Sequence, residues 1–341
     1  MTTVALDGRG AEQGGAVIVA GARAAAGDGI GLRVFGNPAE LAELADIDGV
    51  DLIEATAAIT NDDEPVAAVR ATPEASVVMA AADVAAGRSD AMASAGPTGA
   101  TMTAALFALR RLHGVRRPAL TVQLAVPGRT GPPTLLLDVG ANTDARATDL
   151  VQFAYLGAAF SRAVLEVERP RVALLSVGEE ATKGTNAVVE AHAQLADAEG
   201  IDFRGNVEGR DLLGGCADVI VTDGFTGNVA LKTIEGTART VASAVGTAAR
   251  SNPVAAAGGL LLRPALGGLR REMDPDSTGG AILLGLRGIA VVGHGSSGAD
   301  GVANAVRLAA RSAEQRAVER TGELLEASGA TRAALRDERR R

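Results

Sequence analysis

Residues 90–112 read DAMASAGPTGATMTAALFALRRL. A short apolar run, Asp90 to Ser94, meets Gly96-Pro97-Thr98-Gly99 and turns straight into a small-residue helix, Ala100 to Leu112. A strand that feeds a helix through a glycine turn is the repeating unit of an α/β sheet. The rhythm extends in both directions. Toward the N-terminus, strands are predicted at Thr3 to Asp7, Gly31 to Gly36 and Val50 to Ala55, with helical segments at 14–26, 39–45 and, broken near Pro73, 64–87. Toward the C-terminus, strands Ala119 to Val126 and Thr134 to Asp138 read as neighbours. Helix 148–165, strand 172–176, helix 186–196, strands 202–205 and 219–222 and helix 229–250 follow. Residues 253–272 form a Gly/Leu/Arg stretch around Pro264, and 229–280 is expected to be a helical hairpin insertion. Strand 289–292 and helix 301–318 resume the pattern. The expectation is one α/β domain over 1–318, a three-layer α/β/α sandwich with a mainly parallel sheet, and a charged, frayed helical tail at 319–341.

Composition supports that core and narrows the function. The chain has 341 residues, 47% of them hydrophobic but only 2% aromatic, so its interior is built from Ala, Val, Leu and Ile packed through 43 glycines. A net charge of −8 argues against nucleic acid as a partner, because phosphate-backbone binding needs a basic field. The lone Cys216 can form no internal disulfide, and a four-cysteine metal site is excluded, so no metal is expected. The start, Met1 to Asp7, lacks the basic and apolar regions of a signal peptide, and a cytoplasmic location is expected. Gly8-Arg9-Gly10 lacks the third glycine of a dinucleotide fingerprint, so no cofactor is expected.

In open α/β sheets ligands bind beyond the carboxyl ends of the strands, and four such ends carry Gly with small polar or acidic residues, so these loops are expected to converge on one place. Gly96, Thr98 and Gly99 open a helix whose free N–H groups can receive an anion. Asp138-Val139-Gly140-Ala141-Asn142 and Asp223-Gly224-Phe225-Thr226-Gly227-Asn228 share an acid at the strand end, a glycine and an Asn; Asp138, Asn142, Asp223, Thr226 and Asn228 read equally as caps or as ligand contacts. Of the 33 basic residues only Lys183 and Lys232 are lysine. Lys183 follows Thr182 beyond a strand, where an ammonium and exposed backbone donors would meet a phosphate together; Lys232 reads as a helix-surface partner of Glu235. His294 with Ser296 and Ser297 ends another strand. No Gly-x-Ser-x-Gly elbow is present, and Cys216 has no nearby His.

Taken in order, these segments resemble the PlsX-type phosphate acyltransferase family. The motifs are Ser94-Ala95-Gly96 with Thr98-Gly99-Ala100, Leu137 to Asn142, Gly178-Glu179-Glu180 with Thr182-Lys183-Gly184, Gly205 to Asp211, Asp223 to Val229 with Leu231-Lys232-Thr233, Gly279-Gly280-Ala281 with Leu283-Leu284-Gly285, and His294 to Ser297. The resemblance implies a fold related to phosphotransacetylases and isocitrate-type dehydrogenases, a homodimer, and transfer of a fatty acyl group from acyl carrier protein to inorganic phosphate. It departs from the family pattern at Arg9, Thr72 and Pro97. It suggests Lys183, His294 and Asn228 as catalytic. Gly96, Thr98, Gly99, Asp138, Asn142, Thr182, Asp223, Thr226, Ser296 and Ser297 would hold substrate. A carrier protein is acidic, and two basic clusters are candidates for docking it: Arg110 and Arg111 with Arg116 and Arg117, and Arg263 with Arg270 and Arg271. Leu260-Leu261-Leu262 beside the second fits either a peripheral membrane contact or dimer packing. A phosphotransacetylase-like enzyme using acyl-CoA and an inactive carrier-binding scaffold are the alternatives.

Overall fold

The computed structural model describes residues 1–129, 131–272 and 275–331, leaving aside the side chains of 264–266, 269–272 and 275. Among the described residues a single sheet runs through the molecule. Its strands are β1 (Thr3–Asp7), β2 (Gly31–Gly36), β3 (Val50–Glu54), β4 (Ala91–Ser94), β5 (Ala119–Leu124), β6 (Thr134–Leu137), β7 (Arg171–Leu175), β8 (Asp202–Val207), β9 (Val219–Val221), β10 (Ala281–Leu284) and β11 (Ile289–Val292). The spatial order is β3-β2-β1-β4-β11-β10-β5-β6-β9-β7-β8. The central strands are near-continuous apolar runs because helices cover both faces; β4, β6, β10 and β11 are buried throughout.

The helices are α1 (Gly15–Gly27), α2 (Pro65–Ala71), α3 (Ser76–Ala85), α4 (Thr98–Leu109), α5 (Ala147–Val164), α6 (Asn186–Ala196), α7 (Gly224–Ala249), α8 (Pro253–Glu272), α9 (Ala299–Glu314) and α10 (Ala317–Ala327). One layer holds α1, α5, α6, α9 and α10, and the other holds α2, α3, α4 and the start of α7. Small residues set the spacing between layers. A Cβ on Gly157 of α5 would lie 2.5 Å from Val219, so this helix rides directly on the sheet.

Three antiparallel steps reverse the sheet. β10 runs against both β11 and β5, and β5 runs against β6. As a result β1, β4 and β11 finish at one end of the sheet, called here the upper end, while β6, β9 and β7 finish at the lower end. The expected convergence of all these strand ends on one point is thereby corrected: they form two groups.

Other elements differ in detail. The helix expected at 39–45 is only a 3-10 turn at Ala42–Leu44, and β10 was not read as a strand. α7 begins at Gly224 rather than Val229, because the Asp223 carboxylate accepts the Thr226 N–H and caps it there. The Gly/Leu/Arg stretch is α8, which folds back on α7 as a hairpin. The tail does not fray at Glu319: α10 packs on α5 with Leu325 fully buried. Residues 332–341 lie outside the described residues.

Candidate active site

At the upper end three loops interlock. The Asp7 carboxylate is buried and accepts the hydroxyls of Ser76 (2.6 Å) and Ser94 (2.7 Å), while Ser94 Oγ in turn accepts the Gly96 N–H at 3.0 Å. This network fixes the turn that launches α4. Gly10 lies against it so closely that a Cβ would stand 2.6 Å from the Gly96 Cα, which explains why both positions are glycine. The loop after β11 closes the cradle: the Glu12 N–H donates to Gly295 O at 3.2 Å, Asn61 Nδ2 donates to the Glu12 carboxylate at 3.2 Å, and Gln13 Nε2 donates to Ser296 O at 2.6 Å.

His294 is oriented by its own loop. The Ser296 N–H donates to Nδ1 at 3.3 Å, with Ser296 Oγ 2.8 Å from the same nitrogen. An Nδ1 that accepts leaves the proton of neutral imidazole on Nε2, ready to donate. Ser297 does different work. It is buried and its hydroxyl donates to Asp276 at 2.6 Å, anchoring the loop to the segment before β10.

At the lower end the acids serve the backbone. Asp138 is fully buried; Oδ1 accepts the N–H groups of Leu120, Gly140 and Ala141, and Oδ2 accepts Asn142 N–H and Nδ2. Burial pushes its carboxyl above the ordinary value, against the pull of these donors. Asn142 spends its amide on Asp138 and Pro118 O, and Asp223 and Thr226 bond each other at the α7 N-terminus. Thus Asp138, Asn142, Asp223 and Thr226, each open to either reading from sequence, are placed as organisers of the loop. Asn228, one turn into α7, is exposed, and its side chain forms no hydrogen bond among the described residues. Thr182 and Lys183 lie one strand further along, in the loop after β7; both are exposed, and Lys183 makes no ion pair among the described residues.

What joins the two ends is a groove of about 2170 Å³ where the helical layer is open between α4 and α7. Its floor is apolar: Leu120, Val122 and Leu124 of β5, with Ala281, Val292 and Val139. β5 alone spans about 20 Å. The upper mouth carries Gly96, Thr98, Gly99, Glu12, Asn61 and His294; the far wall carries Asn228, Leu231, Lys232, Ile234, Val241 and Val245 of α7, with Leu260 and Arg263 of α8. Lys232 pairs with Glu235 at 2.9 Å while still lining the wall. Of the sequence-derived candidates, Gly96, Thr98, Gly99, His294, Asn228 and Arg263 meet here. Asp138, Asn142, Thr182, Lys183, Asp223, Thr226, Ser296 and Ser297 do not line it. Arg110 and Arg111 border a separate cleft, and the side chains of Arg270 and Arg271 lie outside the described residues. Sequence reasoning missed Asp7, Glu12 and Asn61. An acid ending β1 was a visible signal for the first; the others are assembled only by the fold. Among the described residues no cluster of three His, Cys, Asp or Glu could hold a metal.

Comparison with known proteins agrees with this architecture. A family model described as "Fatty acid synthesis protein" matches residues 2–320. A phosphate acyltransferase of Anoxybacillus flavithermus is 44% identical over 309 residues, covering 90% of this chain and 93% of that one. One from Enterococcus faecalis is 42% identical over 308 residues, covering 89% and 92%. Among solved structures, a phosphotransacetylase from Streptococcus pyogenes superposes with a TM-score of 0.60 at 18% identity, covering 92% of this chain and 94% of that one, a likeness of fold.

Proposed function

The chain belongs to the phosphate acyltransferase family, and we propose that it moves a fatty acyl group from an acyl carrier protein thioester onto inorganic phosphate within the groove between α4 and α7. The observation that carries the reading is the pairing of a long apolar floor with a polar, glycine-lined mouth at a helix N-terminus. The floor suits an acyl chain, and the mouth suits an anion. Phosphate is held by the α4 N-terminus at Thr98 and Gly99 beside Gly96. Its oxygen attacks the thioester carbonyl, a C–O bond forms as the C–S bond breaks, and the proton of hydrogen phosphate passes to the departing thiolate. Because phosphate is itself the nucleophile, no activated Ser or Cys is required; positioning and oxyanion stabilisation supply the rate. His294 Nε2–H, which shares the upper mouth with the α4 N-terminus, donates to the developing oxyanion, while Asn228 lines the lower end of the groove and Lys183 stands outside it, adding only long-range positive charge.

The deciding assay mixes the protein with phosphate and either an acyl carrier protein thioester or acyl-CoA and traps acyl phosphate with hydroxylamine. Product from the carrier thioester is expected. Product from acyl-CoA alone would replace the donor, and none from either would refute the activity. Val241, Val245, Leu260, Leu261 and Leu262 leave apolar surface in water on the hairpin, and we assign it to a homodimer contact. No helix among the described residues is long and apolar enough to cross a membrane.

A further inference from the structure

A second cleft, about 610 Å³, opens at the lower end of the sheet beside the C-terminus of α4. Among the described residues five arginines and one histidine line it, namely Arg110, Arg111, Arg116, Arg117, Arg287 and His113, and no carboxylate does. Two chain segments far apart in sequence build it. Arg287 N–H donates to Arg110 O at 3.0 Å and its Nε to Arg111 O at 3.1 Å, so the turn after β10 is pinned to the turn after α4. Among the described residues Arg116 alone of these has an acidic partner, Asp149 at 3.1 Å. Arg111 and Arg117 donate to backbone carbonyls, of Arg116 and Asp144, and among the described residues Arg110, Arg111, Arg117 and Arg287 form no ion pair.

The cleft adjoins the groove on three elements. Leu106 faces it one helical turn beyond Met102 of the groove, Pro118 two residues before Leu120, and Asn142 two residues after Gly140. We propose that this cleft is the docking face for the acidic carrier protein that delivers the acyl group, a refinement that rests on the carrier protein being the donor. The whole chain bears a net charge of −8 and would repel an acidic partner. Beyond about 8 Å that repulsion is screened at physiological salt, so the local sign decides where contact forms. Exposed, spread-out guanidiniums on a lip suit a broad acidic protein surface, where charge governs encounter and register.

The test measures binding of fluorescently labelled holo acyl carrier protein to the full chain across a salt series. The wild type should bind more weakly as salt rises. Combined Arg110→Glu, Arg111→Glu and Arg287→Glu should weaken binding at least about tenfold and flatten the salt dependence, the corresponding Gln variant should fall between, and Arg23→Glu on the exposed face of α1, away from both clefts, should leave binding unchanged. Urea midpoints matching the wild type establish that the variants are folded; if the Glu variant does not fold, the Gln variant decides, and an unchanged affinity in it overturns the proposal. Undiminished binding by the folded Glu variant, or an equal loss on Arg23→Glu, also overturns it. A wild type that makes acyl phosphate only from acyl-CoA and does not bind carrier protein would remove the donor assignment itself, an outcome separate from failure of the docking face.

Discussion

Asp138→Asn tests whether this acid organises the lower end or contacts substrate. Its two oxygens are fully committed, Oδ1 to three N–H donors at 2.9–3.1 Å and Oδ2 to two at 2.7 and 2.8 Å. An Asn can keep its carbonyl on the group of three. Its NH2 must then face Asn142 N–H and Nδ2, donor against donor, in a site with no exposure. Two buried donors left unmade at about 1–3 kcal/mol each give about 2–6 kcal/mol, and local relaxation places the expectation near 3 kcal/mol. That is a sizeable part of the roughly 5–15 kcal/mol that holds a domain folded. Urea unfolding followed by circular dichroism reads it as a lower midpoint with unchanged slope. A loss under about 1 kcal/mol, with a large fall in acyl phosphate formation, would refute the structural assignment and return Asp138 to the substrate.

His294→Gln should lower kcat about 100-fold or more with an unchanged urea midpoint, as expected for a lost oxyanion donor; a variant within threefold of wild type would exclude the role. Lys183→Ala, outside the groove, should lower acyl phosphate formation no more than about threefold without loss of stability, and a fall of about tenfold or more would bring Lys183 into the site. Burial pushes the Asp218 carboxyl up, but the side-chain and backbone hydrogen bonds of Arg171 outweigh it and hold it below 3.8. The stability this pair contributes is therefore present above pH 3.8 and lost as pH falls through the lower folded value. Asp218→Asn should cost about 2 kcal/mol near neutrality, with the gap to wild type closing in acid; a gap independent of pH would exclude the ion pair as its source.

Much of the fold was legible because strand, glycine turn and helix repeat with distinct periodicities. Strand 289–292 and helix 186–196 fall where the pattern places them. Less legible were elements whose cause is tertiary. Only Asp223 capping starts α7 early, and α10 is held by α5 rather than by its own charged sequence. The site divides the same way. His294 and the Gly96-to-Gly99 turn were readable because their residue types are unusual at a strand end, whereas Glu12 and Asn61 enter through hydrogen bonds across 49 positions.

The sequence alone determined the α/β class and the motifs in their order, since these depend on residue type and local spacing. Strand direction was decided only in three dimensions. The short link between β5 and β6 allows only antiparallel pairing there, but hydrogen bonding can pair β10 and β5 antiparallel without altering the apolar pattern of either strand, so nothing local announced this step of the reversal that separates the glycine mouth from the Asp138 and Asp223 loops. The same packing left the helical layer open over β5, creating the groove that reconnects them.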